Sequence, residues 1–159
     1  KKIVGVLSIK DFANYYNFKF CQRTNPEDQV GHYMREKLVT IPEPTSVYKA
    51  AQLMKENKIG SLLATQNGDI TGIVTEEILT RKVLGANLNP ETTLVSELME
   101  KPATIESTQS MDSALSCMPQ NDAHYLAVTE DNKIKGIISL KDLTVYYKHK
   151  FVTAQDIDG

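Results

Sequence analysis

The sequence contains no tryptophan, only two cysteines, and no apolar run longer than about five residues in its 159 positions. A bilayer-crossing helix needs roughly 20 consecutive apolar residues, so no such span is present. Residues 1–20 also lack the continuous apolar centre of a secretory leader, and the expected location is cytoplasmic. Cys21 and Cys117 fit no C-x-x-C spacing and are too few for a disulfide framework; both are expected to be free thiols. Charge of one sign is missing too. Lys and Arg number 18 against 20 Asp and Glu, for a net charge of −2, and no block of like charge occurs, so a nucleic-acid surface is not expected. What remains is ordinary: 41% apolar and 24% charged residues, enough to bury a core as one domain or as two small ones without metal or disulfide.

The informative feature is an internal repeat. Thr45 to Met54 aligns with Gln109 to Met118 at an offset of 64, and the same register pairs Thr40-Ile41 with Thr104-Ile105 and Ile70 to Thr75 with Ile134 to Ser139. Val47, Ala50, Ala51 and Met54, like Met111, Ala114, Leu115 and Met118, stand at i, i+3, i+4 and i+7, which predicts one apolar helical stripe per repeat. Thr45 or Ser46, and Thr108 or Ser110, can supply the N-cap oxygens, and Pro119 marks the expected end of the second of these helices.

Each helix is followed by two β-rich runs around a polar turn. These are Ser61 to Thr65 and Gly72 to Thr75 about Gln66-Asn67-Gly68-Asp69, then Leu126 to Thr129 and Gly136 to Ser139 about Glu130 to Lys133; Asn67-Gly68 is a strong hairpin signal. A second helix is predicted over Glu76 to Leu84 and over Leu140 to about Tyr147, and short strands over Leu38 to Ile41 and Ala103 to Ile105. The fold class is therefore α/β (α+β), with two strand-helix-strand-strand-helix units.

Lys2 to Phe20 forms a further half copy. It matches Lys133 to Phe151 at 10 of 19 positions. It reads either as the strand-helix tail of a preceding repeat in a longer array, or as a strand and helix that cap the sheet of the first unit. The expected organisation is this tail at 1–20, a linker at 21–29, one unit at 30–85, a linker at 86–93, the second unit at 94–150 and a tail at 151–159.

The pattern of Met34, Thr40-Ile41, Ser46-x-x-x-Ala50-x-x-x-Met54 and Gly72-Ile73-Val74-Thr75, repeated from Met99 to Leu143, resembles the CBS domain, named after cystathionine beta-synthase. The resemblance implies a tandem pair with pseudo-two-fold packing, homodimerisation through such packing, possible association with further CBS repeats or an effector domain, and a regulatory rather than catalytic role. It implies an adenosine nucleotide (AMP, ADP or ATP) as regulatory ligand, bound between repeats, with S-adenosylmethionine or another adenosyl compound as an alternative. No cofactor is required.

The same resemblance places Ser139 and Asp142 at the ribose, with Met34, Val39, Ile59, Gly60, Ser61 and Ile137 as the adenine-side wall. A carboxylate at the start of a helix can accept both hydroxyls of a ribose. Read without the resemblance, Ser139-Leu140-Lys141-Asp142 is equally a capping box, in which the two side chains satisfy helix-end donors. A second, degenerate site is expected around Ile73, Thr75, Met99, Ala103, Ala123, His124 and Tyr125. Ile78 stands there in place of the ribose acid and cannot accept a hydroxyl; His124 is either a phosphate contact or a locally bonded loop residue. The half copy repeats Ser8-Ile9-Lys10-Asp11 without an opposite wall.

No G-x-S-x-G, H-E-x-x-H, Walker loop or Cys/His ligand set occurs, so catalysis and metal binding are not expected. The competing reading is a structural interaction module whose clefts stay empty.

Overall fold

In the computed structural model, which describes residues 3–20 and 28–155, both repeats take the mixed α/β form that their periodicity predicts. Contacts divide the chain into two compact units that differ from the linear order of the repeats. One is continuous, Lys37–Pro102; the other is split, joining the residues up to Glu36 with those from Ala103 onward.

The continuous unit holds β1 (Thr40–Pro42), α2 (Val47–Asn57), β2 (Ser61–Gln66) and β3 (Asp69–Thr75). β1 runs parallel to β2, and β2 antiparallel to β3. The β2–β3 turn places Asn67 and Gly68 at φ of 53° and 92°, the left-handed values that a two-residue hairpin turn requires. Ser46 caps α2, its hydroxyl accepting the Lys49 N–H at 3.3 Å. Val47, Ala50 and Met54 are buried with Leu62, Ala64 and Val74, but Ala51 is exposed, contrary to the four-residue stripe.

The second helix of this unit is one α-turn, α3 (Glu76–Ile78), that widens into a π-turn over Leu79–Leu84. The widening comes from i to i+5 bonds: the Gly85 N–H reaches the Thr80 carbonyl at 3.1 Å and the Leu88 N–H reaches that of Val83 at 2.9 Å. A Cβ on Gly85 would overlap the Arg81 carbonyl oxygen, a backbone atom that cannot swing aside. Gly85→Ala is therefore expected to lower stability by about 1–3 kcal/mol, read as a reduced denaturant midpoint; an unchanged midpoint would show that the turn can relax to a regular helix. A short α4 (Val95–Leu98) completes the unit.

The split unit repeats the plan with β4 (Thr104–Glu106), α5 (Met111–Gln120), β5 (Tyr125–Glu130), β6 (Lys133–Ser139) and α6 (Leu140–Gln155). Strand order and register match the first sheet, including a register shift at Val128/Thr129 that answers the one at Ala64/Thr65. Ser110 caps α5, which runs one residue past Pro119. α6 continues beyond its predicted end at Tyr147. Met111, Met118, Leu126, Ile138 and Leu143 form the core.

The N-terminal half copy is only half realised. Its helix, α1 (Ile9–Phe20), forms and packs on α5 and α6 within the split unit. Residues 3–8 form no strand, and Ile3, Val4, Val6 and Leu7 are exposed. β6, their counterpart, is ordered by pairing with β5. The surface under α1 is adapted to it: Leu115 and Leu140 are buried there, where the continuous unit has the exposed Ala51 and Glu76. Cys117 is a free thiol; Cys21 lies outside the described residues.

Candidate functional site

Ser139 ends β6 and Asp142 stands in the first turn of α6, so the strand-to-helix junction fixes both. Asp142 Oδ2 accepts the Ser139 N–H at 2.8 Å and the Ser139 hydroxyl at 2.6 Å, while the Asp142 N–H donates to Ser139 Oγ at 3.2 Å. This is the reciprocal capping box. The cap occupies one carboxylate oxygen; Oδ1 has no hydrogen-bond partner among the described residues. A carboxylate offers about four lone-pair positions, so capping and ligand recognition can coexist on one side chain.

A strap over residues 28–36, which includes the opening of the first repeat, completes this end of the split unit. Val30 and Gly31 donate backbone N–H groups to Gln109 and Ser107, both at 2.8 Å, and Arg35 pairs antiparallel with Ile137 through bonds of 2.9 and 3.0 Å. Met34 lies over Gly136, where any Cβ would overlap its thioether. Arg35 thereby comes to rest with Nε 3.6 Å from Asp142 Oδ2.

The continuous unit has the same arrangement with different chemistry. Its strap is Thr93–Glu100, Glu100 pairs with Ile73, and Met99 lies over Gly72, where a Cβ would sit 2.8 Å from its sulfur. Thr75 accepts the Ile78 N–H at 3.2 Å in the place of Ser139. Ile78, buried, replaces Asp142, and Glu100 replaces Arg35 and pairs with Lys82 at 2.7 Å. The position of Asp142 thus holds no acceptor, and the carboxylates of this helix start belong to Glu76 and Glu77 instead.

Below Asp142, a groove of about 510 Å³ runs along α6 past Tyr33, Val145, Tyr146 and His149 to Asp28 and Lys150. Asp28 accepts hydrogen bonds from the hydroxyls of Tyr33, at 3.3 Å, and of Tyr146, and pairs with Lys150. Tyr33 and Tyr146 meet edge to face with ring centres 4.8 Å apart. Burial pushes the Asp28 carboxyl up, but the Lys150 and tyrosine hydrogen bonds and the Lys150 charge outweigh it, and its pKa is lowered overall. Tyr146 is raised, by burial first and then by Asp28.

Asp28 thus latches the strap to α6. Asp28→Ala is expected to cost about 1–3 kcal/mol at pH 7, because it strands a buried phenol and an ammonium. A lowered carboxylate pKa stabilises the fold above the unfolded value near 3.9, and the contribution is lost as pH falls through the folded value. The gap between wild type and Asp28→Ala, followed by denaturant unfolding, should therefore close on acidification. A gap independent of pH would contradict an ionic latch.

Of the residues the resemblance assigns to the better site, Met34, Ile137, Ser139 and Asp142 belong to the split unit and meet around one strand end. Val39, Ile59, Gly60 and Ser61 belong to the continuous unit. There Val39 and Ile59 pack on its core, the Gly60 carbonyl accepts the Glu76 N–H at 3.0 Å, and Ser61 opens β2 opposite Thr75. The residues of the degenerate site divide likewise: Ile73, Thr75 and Met99 in the continuous unit, Ala103, Ala123, His124 and Tyr125 in the split one. His124 lines a hollow of about 20 Å³, the size of a water, with Lys10 and Asn14 of α1 among its other walls.

Asp28 and Tyr146 are not evident from the sequence, since no periodic pattern links positions 118 apart. Among the described residues no group of three or more His, Cys, Asp or Glu could hold a metal, and no helix is long and apolar enough to cross a membrane.

The CBS domain family matches residues 30–85 and 95–149. The CBS domain-containing protein CBSCBSPB3 of Arabidopsis thaliana is 32% identical over 123 residues, covering 76% of this chain and 22% of that protein. The chain thus spans about a fifth of the length of that relative. A solved protein with CBS domains from Burkholderia ambifaria is 34% identical, with a TM-score of 0.68 over 70% of this chain and 83% of its own. The hexameric CBS-CP12 protein of bloom-forming cyanobacteria is 30% identical, with a TM-score of 0.67 over 72% of this chain and 65% of that one. CBS pairs are regulatory, signal-transduction modules and generally not catalysts. With two full repeats, two matching sheets and relatives of the same build, this chain belongs to the CBS-domain family as a tandem pair.

Proposed function

We propose that the chain is a regulatory module that senses an adenosine nucleotide of the AMP, ADP or ATP kind, with Asp142 as the ribose acceptor and Met34, Val39, Ile59, Gly60, Ser61 and Ile137 serving the adenine. The observation that carries this reading is the spare Oδ1 of Asp142, on a carboxylate fixed by Ser139. At the Thr75–Ile78 end the buried Ile78 stands in the place of that carboxylate, so the expected stoichiometry is one nucleotide per chain. The ligand acts by linkage: it shifts a conformational equilibrium by its difference in affinity for the two states. Self-association and a cytoplasmic site of action belong to the same proposal; the hexameric cyanobacterial relative supports the former.

Calorimetric titration with AMP, ADP, ATP and S-adenosylmethionine tests it. Heat from at least one nucleotide is expected, together with a thermal shift worth about 2.7 kcal/mol at 100 times the dissociation constant. Silence from all four at millimolar concentration would instead favour the scaffold reading, which Ile78 supports at its own end of the pair.

A further inference from the structure

We infer that residues 3–15 are a docking surface for a second copy of this chain, in which the two segments from Ile3 to Ser8 pair as antiparallel strands about a two-fold axis at Gly5. The inference is independent of the nucleotide reading and gives self-association a surface ahead of both repeats.

Seven of the twelve large apolar side chains that stand exposed among the described residues fall within these positions, so the exposure forms a patch and is not scattered. Ile3, Val4, Val6 and Leu7 are 75 to 98% exposed, and among the described residues no hydrogen bond involves the backbone from Ile3 to Leu7. The helix continues the patch. Ile9, Phe12 and Tyr15 occupy the places of Leu140, Leu143 and Tyr146, which α6 buries in the core with β5 and β6, yet here they are 42 to 50% exposed. α1 instead turns Lys10 and Asn14 toward α5, where Lys10 meets Asp122 at 3.5 Å. The half copy thus keeps the sheet-facing side of a strand and helix with no sheet against it.

A second copy offers one matching edge. In both sheets the middle strand is flanked on both sides, the outer strands β1 and β4 span three residues each, and the longer outer strands β3 and β6 are bridged by their straps at Ile73 and Ile137. What remains among the described residues is the segment from Ile3 to Ser8 itself. Pairing about Gly5 sets Ile3 opposite Leu7 and Val4 opposite Val6, apolar against apolar in each pair. A Cβ on Gly5 would meet nothing within 4 Å, so the axis passes through open space. Charge does not oppose the contact: none stands between Ile3 and Ser8, Lys10 is held by Asp122, and Asp11 by Ser8. The segment also lacks the proline or charge with which sheet proteins blunt an open edge. Closing the patch removes roughly 300–600 Å² of apolar side-chain area per copy, to which the paired backbones add, against about 800 Å² per partner in a standard interface. That is the scale of a weak, reversible dimer.

Sedimentation of the full chain from low to high micromolar concentration tests this, together with hydrogen exchange of the amides from Ile3 to Ser8. Wild type should pass from monomer to dimer, with those amides protected at least about 10-fold more at the high end. Val6→Asp should stay monomeric, with an unchanged denaturant midpoint at low concentration, whereas Leu84→Asp, also at an exposed apolar position, should dimerise like wild type. In a Cys21→Ser, Cys117→Ser background, Gly5→Cys should link to its own copy on oxidation, because directly opposed residues of an antiparallel pair stand about 4.5–5.5 Å apart, within disulfide reach. A chain that is monomeric at every concentration would overturn the proposal, whether those amides exchange freely or are already protected. So would a dimer that survives Val6→Asp, or one in which Gly5→Cys fails to link.

Discussion

Asp142→Asn should lose nucleotide binding while keeping its helix cap. An asparagine in the same rotamer presents one oxygen to the Ser139 N–H and hydroxyl, which donate at 2.8 and 2.6 Å, but turns an NH₂ group toward the position now taken by Oδ1. That group cannot accept a sugar hydroxyl. Each hydrogen bond to a charged acceptor contributes about 1.5–3 kcal/mol, so loss of two should weaken AMP by at least about 10²-fold. Asp142→Ala should lose the same affinity and about 1 kcal/mol of stability as well, since the Ser139 donors at the helix end lose their acceptor. The pair separates the two duties of the residue. Calorimetry reads the first and denaturant unfolding the second; an Asp142→Asn protein that binds AMP like wild type would leave the carboxylate with only its capping role.

Leu126→Ala should be the most destabilising single truncation in the split unit, and Leu62→Ala its counterpart in the continuous one. The two side chains are 0% and 1% exposed, and each lies mid-sheet, Leu126 opposite Ile138 and Leu62 opposite Val74. Removing three carbons from a close-packed interior forfeits the transfer energy and leaves a cavity, about 2–5 kcal/mol in total. That is a large share of the 5–15 kcal/mol typical of whole domains. The exposed Ala51, which periodicity alone would count as core, provides the contrast. Ala51→Ser should change stability by no more than about 0.5 kcal/mol. A loss at Ala51 comparable to that at Leu126 would contradict the burial described for α2.

Much of this fold was readable from residue order, because periodicity and turn chemistry act locally. The offset of 64 located both sheets, Asn67-Gly68 located a hairpin, and Ser46 and Ser110 were among the candidate caps. The exchange of straps was not read. Strand pairing through backbone groups carries little side-chain signature, and the bridge of Arg35 to Ile137 joins residues 102 apart in sequence. A faint signal did exist: Met34 and Met99 are 65 apart, whereas Thr40 and Thr104 are 64 apart, so the straps stand one residue out of phase with the bodies of the repeats.

Ala51 fails the stripe because a helix on a three-stranded sheet buries a face narrower than its apolar arc unless something covers the far edge. α1 provides that cover over Leu115, the counterpart of Ala51. At the candidate site, the bonds between Asp142 and Ser139 were legible from capping rules. Arg35 stood in the sequence as one cation among many, and the bridge to Ile137 distinguishes it from the rest.

A crystal structure of the chain with AMP bound would test the central claim most directly. The account predicts one nucleotide per chain, with its ribose hydroxyls within hydrogen-bond distance of Asp142 Oδ1 and nothing bound beside Thr75 and Ile78. A nucleotide seated at Thr75 and Ile78, or one held away from Asp142, would contradict it.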